Sequence, residues 1–279
     1  MKHLKKHFTT FILVMIMLTG ISLLLYPAVS NWWNKFHQTR AIASYTEAVT
    51  ELENRDYEEI RRRAREYNRK LLEKKDRWKP LEEDDKEYEE ILNPEENGIM
   101  GYVEIPVIGV SLPIYHGTDE AILQIAAGHI RGASFPTGGE STHCVISGHS
   151  GLPSARLFTE LEKVKEGEIF YLKVLDETLA YEVDQIRVVE PEDFSLLEIE
   201  AGKDFCTLVT CTPYGINTHR LLVRGTRIET PDRKLLPEEN AEKNNLSLVA
   251  LVTAVSVLLA GLILGLTKMR KRKREETMK

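Results

Sequence analysis

The sequence predicts a mainly β domain, closed into a barrel or folded as a sandwich, that lies between two membrane-spanning helices. From Gly101 onwards, short runs rich in β-branched residues alternate with turns that contain Gly, Pro, Asp or Asn. Helical periodicity in this region is confined to about residues 119–126 and 155–163. Many short strands with few helices are typical of barrels and sandwiches. Two apolar runs, one near each end of the chain, supply the predicted membrane helices.

The chain divides into a helical region, a β domain and a linker. Apolar residues recur at helical spacing over 36–75, and an acidic, proline-containing stretch at 79–98 predicts a surface loop with one short helix. Together these stretches form the predicted helical region, 36–98. The β domain covers 99–230, and a polar segment, 231–245, follows as a linker. The predicted strands are 102–105, 107–110, 112–115, 142–147, 169–174, 179–189, 205–210 and 221–228.

The two apolar runs, 8–26 and 246–267, are each close to the roughly 20 residues that a helix needs to cross a bilayer. Basic residues flank their outer ends, in the tails 1–7 and 268–279. The positive-inside rule then predicts that both termini are cytoplasmic and that the domain between the helices is extracellular. A cleaved signal peptide, cut after the small residues at 28–30, is the alternative for the first run. An uncleaved anchor is favoured because the run is longer than the usual apolar core of roughly 7–15 residues.

Composition and charge argue against several function classes. The net charge of −6 argues against general nucleic-acid binding, and the basic tail at 268–279 is better explained as a topology signal because it follows a membrane helix. No Cys-x-x-Cys spacing occurs, so no zinc site is predicted. The three cysteines are too few for a disulfide framework and odd in number, so at least one thiol is free or paired between chains.

Cys211 is the candidate nucleophile. It ends a strand-like run and is followed by a loop, so the strand ladder holds the thiol while the loop leaves it accessible. Strand alternation places Cys211 and Cys206 on opposite faces of this strand. Cys206 and Cys144 are therefore interpreted as small core residues. A disulfide between them remains open if their strands are adjacent.

His149 and Arg220 are the candidate partners of this thiol. His149 follows a strand, in a loop restricted by two glycines and a proline, where an imidazole can serve as general acid or base. His129 and His143 remain alternatives for that role. Arg220 opens the last strand nine residues after Cys211, a distance that suits two antiparallel strands joined by one loop. A guanidinium there would stabilise a thiolate and an oxyanion, although a lone arginine at a strand start is ordinarily a surface charge.

Three strings in the sequence resemble motifs of the sortases. Residues 207–211 read Thr-Leu-Val-Thr-Cys and resemble the sortase signature Thr-Leu-x-Thr-Cys. Residues 219–225, His-Arg-Leu-Leu-Val-Arg-Gly, resemble the arginine-bearing strand of that family. Residues 147–155, Ser-Gly-His-Ser-Gly-Leu-Pro-Ser-Ala, resemble the histidine loop of the class C, pilus-assembling sortases of Gram-positive bacteria. The resemblance covers about residues 40–267, including the second membrane helix that is typical of class C.

The resemblance implies an eight-stranded β-barrel with cysteine transpeptidase activity and no metal or organic cofactor. Cys211 would attack the Thr–Gly bond of a Leu-Pro-x-Thr-Gly-like sorting signal and form a thioacyl enzyme. His149 would protonate the leaving amine and later deprotonate the incoming one, while Arg220 would hold the substrate backbone and the oxyanion. In class C the incoming amine is a lysine of the next pilin, so the implied partners are pilin subunits with C-terminal sorting signals.

Class C sortases also carry a lid with an Asp-Pro-aromatic motif over the active site. Asp76-Arg77-Trp78 stands at the corresponding place in this chain, which implies that Asp76 pairs with Arg220 and that Trp78 covers the Cys211 sulfur. Arg77 replaces the proline and removes a φ constraint, so a looser lid is expected. The alternative interpretation is a helix that ends with Trp78 packed on the barrel.

Two other functions compete with pilus polymerisation. One is that of a housekeeping sortase, which anchors surface proteins to cell-wall peptide. The other is that of a non-enzymatic surface or pilus protein, such as an adhesin. A pilin would carry its own Leu-Pro-x-Thr-Gly string before the C-terminal apolar run. Residues 230–245 contain no such string, which counts against this class.

Overall fold

A computed structural model describes residues 2–74, 76–79 and 82–231 of the chain. The predicted second membrane helix at 246–267 and the basic tail at 268–279 lie outside these described residues, as does the predicted linker beyond Pro231. The described part consists of long N-terminal helices followed by a β-barrel.

Among the described residues, three helices precede the barrel: α1 (Lys2–Glu51), α2 (Asn54–Leu71) and α3 (Glu82–Glu90). The helix predicted at 36–75 is therefore two helices, which corrects the prediction. The Asp56 carboxylate accepts a hydrogen bond from the Glu53 N–H at 3.3 Å, a capping contact that begins a new helix. The short α3 confirms the one helix predicted within 79–98.

The first helix contains the apolar run 8–26 and continues through Pro27. Among the described residues, it is the one helix long and apolar enough to cross a membrane, with a mean hydropathy of 2.3 in its most apolar window. Its apolar side chains lie outside the protein core, since Leu23 and Leu24 are 71% and 81% exposed. This part of α1 is therefore suited to a lipid environment.

Eight strands close into a barrel in the order β1-β2-β3-β4-β7-β8-β6-β5. Two neighbouring pairs, β2/β3 and β4/β7, are parallel, and the other six pairs are antiparallel. A short helix, α4 (Glu120–Leu123), lies between β2 and β3. The strands are β1 (Ile99–Ile105), β2 (Val110–His116), β3 (Ala127–His129), β4 (Thr142–Ser147), β5 (Ile169–Val174), β6 (Glu177–Val189), β7 (Asp204–Thr212) and β8 (His219–Ile228). This topology confirms the predicted eight-stranded β-barrel.

Three local predictions within the barrel domain are corrected. The stretch 107–110, predicted as a strand, is largely a 3-10 turn that begins at Pro106 and ends where Gly109 adopts a φ of 60°. The stretch 155–163, predicted as helix, contains one 3-10 turn, Leu161–Lys163. The third strand was not predicted, because three residues are too few to show a strand period.

Successive side chains of β7 face two different apolar clusters. Cys206 and Leu208 are 0% exposed and belong to the main core inside the barrel. A second cluster, here called the outer cluster, consists of Ala133, Val145, Leu197, Val209 and Leu222. Because side chains alternate along a strand, the face of β7 that carries Val209 also carries Cys211. The candidate nucleophile therefore lies on the outer face of the barrel wall.

Two buried polar side chains hold the helices against the barrel. Tyr45 on α1 donates its hydroxyl to the Met100 carbonyl at 3.1 Å and accepts from the Leu175 N–H at 2.8 Å. Asn68 on α2 accepts from the Phe135 N–H at 2.7 Å and donates to the Phe135 carbonyl at 3.3 Å. Removing one partner of such a buried bond costs about 1–3 kcal/mol. These bonds therefore help to specify where both helices lie on the barrel.

A buried histidine connects the barrel wall with the loop that precedes β7. His143 is 0% exposed, with Nδ1 at 2.8 Å from the Glu198 carbonyl and Nε2 at 2.7 Å from the Thr207 hydroxyl. A carbonyl only accepts, so Nδ1 carries the proton and the neutral Nε2 accepts from Thr207. Burial, followed by the positive charges of Arg77 and Arg224, lowers the pKa of His143 to about 4, against the opposing effect of the Glu198 carbonyl.

We expect the free energy of unfolding to fall as the pH is lowered from 6.5 to about 4, because unfolded His143 binds a proton that the folded protein excludes. The pKa is lower in the folded state, so this stabilisation is complete above pH 6.5 and is lost below it. The pKa difference corresponds to about 3 kcal/mol. Urea unfolding of wild type and His143→Gln across this pH range checks it. The variant should lose less stability on acidification, and equal pH slopes for both proteins would contradict the expectation.

Candidate active site

Cys211 and Arg220 are cross-strand partners at one end of the barrel. The antiparallel register of β7 and β8 places Cys211 directly opposite Arg220. Directly opposite residues of an antiparallel pair have their side chains on the same face, with Cα atoms about 4.5–5.5 Å apart. The nine-residue separation in sequence thus corresponds to a close pair in space. The Cys211 thiol is partly exposed, and the Thr212–Pro213 peptide bond that follows is cis.

The Arg220 guanidinium is held by carbonyls of the loop that leads into β8. Its Nη1 donates to the His219 carbonyl at 3.1 Å and to the Asn217 carbonyl at 3.3 Å. Within residues 2–74, 76–79 and 82–231, it forms no ion pair with a carboxylate. Its positive charge is therefore not neutralised by a carboxylate of a described residue, and it belongs to the residue directly opposite Cys211.

The loop after β4 brings His149 to the same end of the barrel. The parallel register of β4 and β7 pairs Ser147 with Val209, and extending it by two residues aligns His149 with Cys211. Two further bonds hold the loop on β7: the Gly148 N–H donates to the Val209 carbonyl at 3.0 Å, and the Thr210 hydroxyl donates to the Gly148 carbonyl at 2.7 Å. His149 thus reaches the Cys211 end through hydrogen bonds with the strand that carries Cys211.

Gly148 is required by the packing of this loop. A Cβ at this position would lie 2.7 Å from the ring of Phe158, closer than real Cβ atoms approach. The Phe158 N–H donates to the His149 carbonyl at 3.0 Å, which holds the ring against the loop. The glycine before His149 therefore has a steric role, since it lets the fully buried Phe158 support the histidine loop.

The other two histidines that the sequence left open are structural in this fold. His129 is 0% exposed, with Nε2 at 2.9 Å from the Ser134 carbonyl and Nδ1 at 2.9 Å from the Tyr88 hydroxyl. His143 is equally buried and has a hydrogen bond on each ring nitrogen. By contrast, the His149 side chain is 24% exposed. Of these three, His149 is the histidine open to a substrate.

The two remaining cysteines are neighbours inside the barrel. Cys144 on β4 and Cys206 on β7 are register partners, and both are buried free thiols. The disulfide that the sequence left open is therefore absent between them. Burial, reinforced by the neighbouring Cys144 thiol, raises the pKa of Cys206. Both thiols are enclosed in the core, which separates them from the partly exposed Cys211.

Glu120 is a neighbour of His149 that sequence reasoning missed. Its Oε2 accepts from His149 Nε2 at 3.3 Å. A hydrogen bond from Gln124, followed by the one from His149, holds the pKa of Glu120 below its ordinary value. The carboxylate therefore stays charged beside the imidazole. Glu120 is the first residue of the four-residue helix α4. No local sequence pattern connects a carboxylate at this position with a histidine 29 residues later.

Arg77 holds the segment 76–79 on the barrel, which corrects the expectation of a loose segment. Arg77 is 5% exposed and donates to the Gly132 carbonyl at 2.9 Å and to the Leu197 carbonyl at 2.7 Å. It also forms an ion pair with the Glu198 carboxylate at 3.2 Å. Buried, charge-assisted bonds of this kind are stronger than neutral ones. Arg77, which stands in place of the proline of the class C motif, thus restrains the segment through side-chain bonds and not through a fixed φ.

Trp78 packs on the outer cluster, the apolar patch that includes Val209. Its Nε1 donates to Glu198 Oε1 at 3.0 Å, its ring lies 4.9 Å from that of Phe194, and the Arg77 guanidinium lies 4.1 Å above it. Val209 precedes Cys211 by two residues on the same face of β7. Trp78 therefore packs on the apolar cluster to which this face of β7 contributes Val209.

Asp76 takes a different position from the one that the family resemblance implied. Its side chain is exposed, its carbonyl accepts from the Lys79 N–H at 2.9 Å, and no ion pair joins it to Arg220 among the described residues. The physical reason is that the adjacent Arg77, not Asp76, makes the bonds that hold this segment. In the same described part of the chain, no three His, Cys, Asp or Glu side chains are grouped as metal ligands.

The arrangement brings together the three functions that acyl transfer needs. A partly exposed thiol can serve as nucleophile, an imidazole on the adjoining loop can transfer protons, and an unneutralised guanidinium can stabilise an oxyanion. All three side chains belong to β7 or to segments hydrogen-bonded to it. The site is therefore chemically equipped for attack on an amide carbonyl.

Comparison with solved structures identifies similar proteins. Sortase C1 from Streptococcus agalactiae is 48% identical, and the match covers 68% of this chain and 99% of that one with a TM-score of 0.66. Sortase C from Streptococcus pneumoniae is 46% identical over 68% of this chain and 97% of that one, with a TM-score of 0.60. Sortase C from Clostridium perfringens, solved with a C-terminal cell wall sorting motif, is 39% identical over 69% and 100% of the two chains, with a TM-score of 0.59.

Sequence comparison points to the same family. Sortase A from Staphylococcus aureus (strain NCTC 8325 / PS 47) is 35% identical over 127 residues, which cover 43% of this chain and 58% of that protein. The chain thus spans less than two thirds of the length of this relative. The family model of the sortase domain matches residues 103–228, which include nearly all of the barrel. From this match and from the near-complete coverage of solved sortases at 39–48% identity, we conclude that the chain belongs to the sortase family.

Proposed function

We propose that this chain is a cysteine transpeptidase that cleaves the Thr–Gly bond of Leu-Pro-x-Thr-Gly-like sorting signals and joins pilin subunits through a lysine amine. The observation that carries the proposal is the cross-strand pair of Cys211 and Arg220 on β7 and β8. Such a pair provides a nucleophile and a fixed positive charge on one face of the barrel. Membership of the sortase family supports transpeptidation as the reaction.

The proposed reaction passes through a thioester. The Cys211 sulfur forms a bond to the threonine carbonyl carbon, and the C–N bond to glycine breaks while the protonated His149 donates a proton to the departing amine. Arg220 stabilises the oxyanion of the tetrahedral intermediate. An incoming amine then attacks the thioester, its proton passes to His149, and the sulfur departs. Two easier steps thus replace one difficult amide exchange.

The contact with Glu120 suggests which ring nitrogen transfers the proton. His149 Nε2 donates to the Glu120 carboxylate, so Nδ1 is the nitrogen left for proton exchange with the substrate. In this role Glu120 is a positioning residue, because it acts through the imidazole and not on the substrate.

Pilus polymerisation is supported by the class of the solved neighbours. The Streptococcus pneumoniae sortase C structure was described as informative about pilin substrate specificity, and another solved neighbour is the sortase C1 of GBS Pilus Island 1. Anchoring of surface proteins to cell-wall peptide, the housekeeping reaction, is the second candidate. It is supported by sequence similarity to the Staphylococcus aureus sortase A.

We further propose a membrane-anchored arrangement of the chain. The helix α1 would hold the protein in the membrane through the run 8–26, with the catalytic barrel at 99–230 outside the cell and both termini in the cytoplasm. The exposed apolar side chains of α1 support this anchoring. The segment that contains Asp76 and Trp78 would serve as a lid that limits access to Cys211, and the packing of Trp78 on the outer cluster, which includes Val209, supports that role.

Removal of the nucleophile or of the guanidinium should abolish or sharply reduce polymerisation. With a pilin that bears the sorting signal, we expect Cys211→Ala to form no covalent ladders. Arg220→Ala should lower kcat/KM about 100-fold or more, because an oxyanion donor is lost. The matched control is Arg224→Ala on the same strand, whose side chain is paired with Asp184 and which should stay within a few-fold of wild type. Ladders formed by Cys211→Ala would refute the proposal.

The same assay separates the two candidate acceptors. The enzyme receives a pilin lysine and a cell-wall peptide amine together, and mass spectrometry identifies the joined product. A product with the pilin lysine supports polymerisation. A product with the peptide amine alone would support the housekeeping reaction.

Loosening the lid should increase the reactivity of Cys211. Trp78→Ala removes the ring that covers the outer face of β7, and Arg77→Ala removes the bonds that hold it there. We expect both variants to react faster than wild type with a maleimide probe, and Lys79→Ala, an exposed neighbour, to react at the wild-type rate. The reaction reports Cys211 because Cys144 and Cys206 are buried. An unchanged rate in both lid variants would show that the segment does not limit access.

Glu120→Gln tests the positioning role of the carboxylate. The loss of its charge should lower kcat about two- to fivefold with little change in KM, as for an exposed ion pair of ordinary strength. Asp119→Asn, which removes the adjacent carboxylate from the start of α4, is the control and should leave kcat unchanged. A change in KM without a change in kcat would instead place Glu120 in substrate binding.

A further inference from the structure

We propose that the active-site end of the barrel rests on the surface of the bilayer that α1 enters, with Tyr214 and Ile216 of the β7–β8 loop inserted among the lipid headgroups. The inference rests on the proposed anchoring by α1, but it concerns a docking surface and not the reaction. The partner is the lipid surface itself. Four observations support it, namely the direction of α1, its contacts, its aromatic residues and the exposed side chains of the loop.

The helix α1 runs along the barrel with its apolar end at the active-site end. Its C-terminal part is held at the far end, where Tyr45 binds the Leu175 N–H in the turn before β6. That turn lies at the opposite end of the β6–β8 ladder from the pair of Val189 and Arg220. Residues 31–45 of α1 span about 21 Å at 1.5 Å per residue. The nine-residue strand β7 spans about 26 Å at 3.3 Å per residue, so this part of α1 extends along most of the barrel.

Three side chains of α1 form hydrogen bonds with the loop that carries His149 and with the segment that follows α4. Asn34 Nδ2 donates to the Ser154 carbonyl at 2.9 Å, and Asn31 Oδ1 accepts from the Arg156 N–H at 3.0 Å. Both partners belong to the loop that carries His149. Gln38 Nε2 donates to the carbonyl of Ile125, just after α4, at 2.7 Å. The height of the active site above the membrane is therefore set by direct bonds to the anchor helix.

The aromatic residues of α1 mark the level of the membrane surface. Three large aromatic side chains follow the apolar run, and Trp32, Trp33 and Phe36 are 44%, 56% and 52% exposed. Tryptophan is enriched where a helix leaves the hydrocarbon, because its ring is apolar and its N–H is polar. Asn31 and Asn34 belong to the same two turns of the helix. The His149 loop is thus bonded to α1 at the level of this aromatic belt.

The β7–β8 loop presents exposed apolar side chains beside that loop. Tyr214 and Ile216 are 60% and 68% exposed. A Cβ placed on Gly151, in the His149 loop, would lie 3.4 Å from the Tyr214 ring, so the two loops are in contact. Apolar side chains at this level gain free energy when they enter the outer part of a bilayer, where amphipathic surfaces rest at a depth of about 5–10 Å.

A bilayer fits this surface better than a protein partner does. The bonds from Asn31, Asn34 and Gln38 hold the barrel at a fixed height, so the space below the β7–β8 loop is bounded by the lipid that surrounds α1. A consequence concerns the substrate of the proposed reaction. Cys211 would receive a scissile bond that lies close to the membrane surface, in the position expected of a membrane-held precursor.

Site-directed spin labelling of the full chain tests the docking. The Cys211→Ala protein is reconstituted in nanodiscs of phosphatidylcholine and phosphatidylglycerol, and a single label is introduced by Ile216→Cys. Cys144 and Cys206 are 2% and 0% exposed and take up no label. Power saturation with oxygen and a nickel chelate then gives the depth of the label. Two reference labels are Leu18→Cys, within the apolar run, and Ala201→Cys, an exposed position in the turn before β7.

The Ile216 label should lie about 5–10 Å below the phosphate level, whereas the Ala201 label should be as accessible to the nickel chelate as a label in water. The Leu18 label should lie in the hydrocarbon. An Ile216 label as accessible as the Ala201 label, with Leu18 in hydrocarbon, would overturn the docking and leave the anchoring intact. A Leu18 label outside the hydrocarbon would overturn the proposed anchoring and the docking together.

Discussion

The site depends on the shared hydrogen bonding of β7, which pairs in parallel with β4 on one edge and antiparallel with β8 on the other. The first pairing aligns the end of β4 with the end of β7, so the loop that carries His149 begins beside Cys211. The second pairing places Arg220 opposite the same cysteine. A one-residue slip in either register would turn side chains to the opposite face of the sheet. The closed barrel prevents such slips because every strand has two neighbours.

A second constraint is the position of Glu198 in the loop before β7. Its carboxylate accepts from Arg77 and from the Trp78 indole, and its carbonyl accepts from the buried His143. The segment 76–79, the barrel wall and the loop between β6 and β7 therefore meet at one residue. Arg77 stands where the resembled motif has a proline, so the fixed φ of that proline is missing. The buried Arg77 guanidinium restrains the segment instead, through bonds to two carbonyls and a carboxylate. The same contacts thus restrain the segment 76–79 and stabilise the outer face of the barrel.

The helix α1 also contributes to the position of the site. Asn31 and Asn34 bind the backbone of the loop that carries His149, while Tyr45 binds the backbone at the opposite end of the barrel. The helix therefore fixes the orientation of the barrel relative to the run 8–26, the segment that is proposed to lie in the membrane. Since these bonds end on backbone groups, the sequences of the contacted loops can vary without loss of the contact.

Local sequence patterns determined much of this protein. Strand periodicity and turn residues placed most strands within a few residues of their observed ends, and alternation alone separated Cys211 from Cys206. The predictions were wrong where a strand is too short to show a period, or where the residue types favour a structure that neighbouring residues prevent. The three residues of β3 show no period, and the 107–110 stretch has β-branched residues that Pro106 and Gly109 override.

Contacts between distant parts of the chain were decided by the tertiary structure alone. Sequence spacing left three histidines as candidates, and burial with two hydrogen bonds each then made His129 and His143 structural. The pairing of Glu120 with His149 and the ion pair of Arg77 with Glu198 join residues far apart in sequence. No periodicity encodes such pairs, because they depend on how the strands are ordered around the barrel. The sequence by itself determined which residues have suitable chemistry, and the barrel topology decided which of them meet.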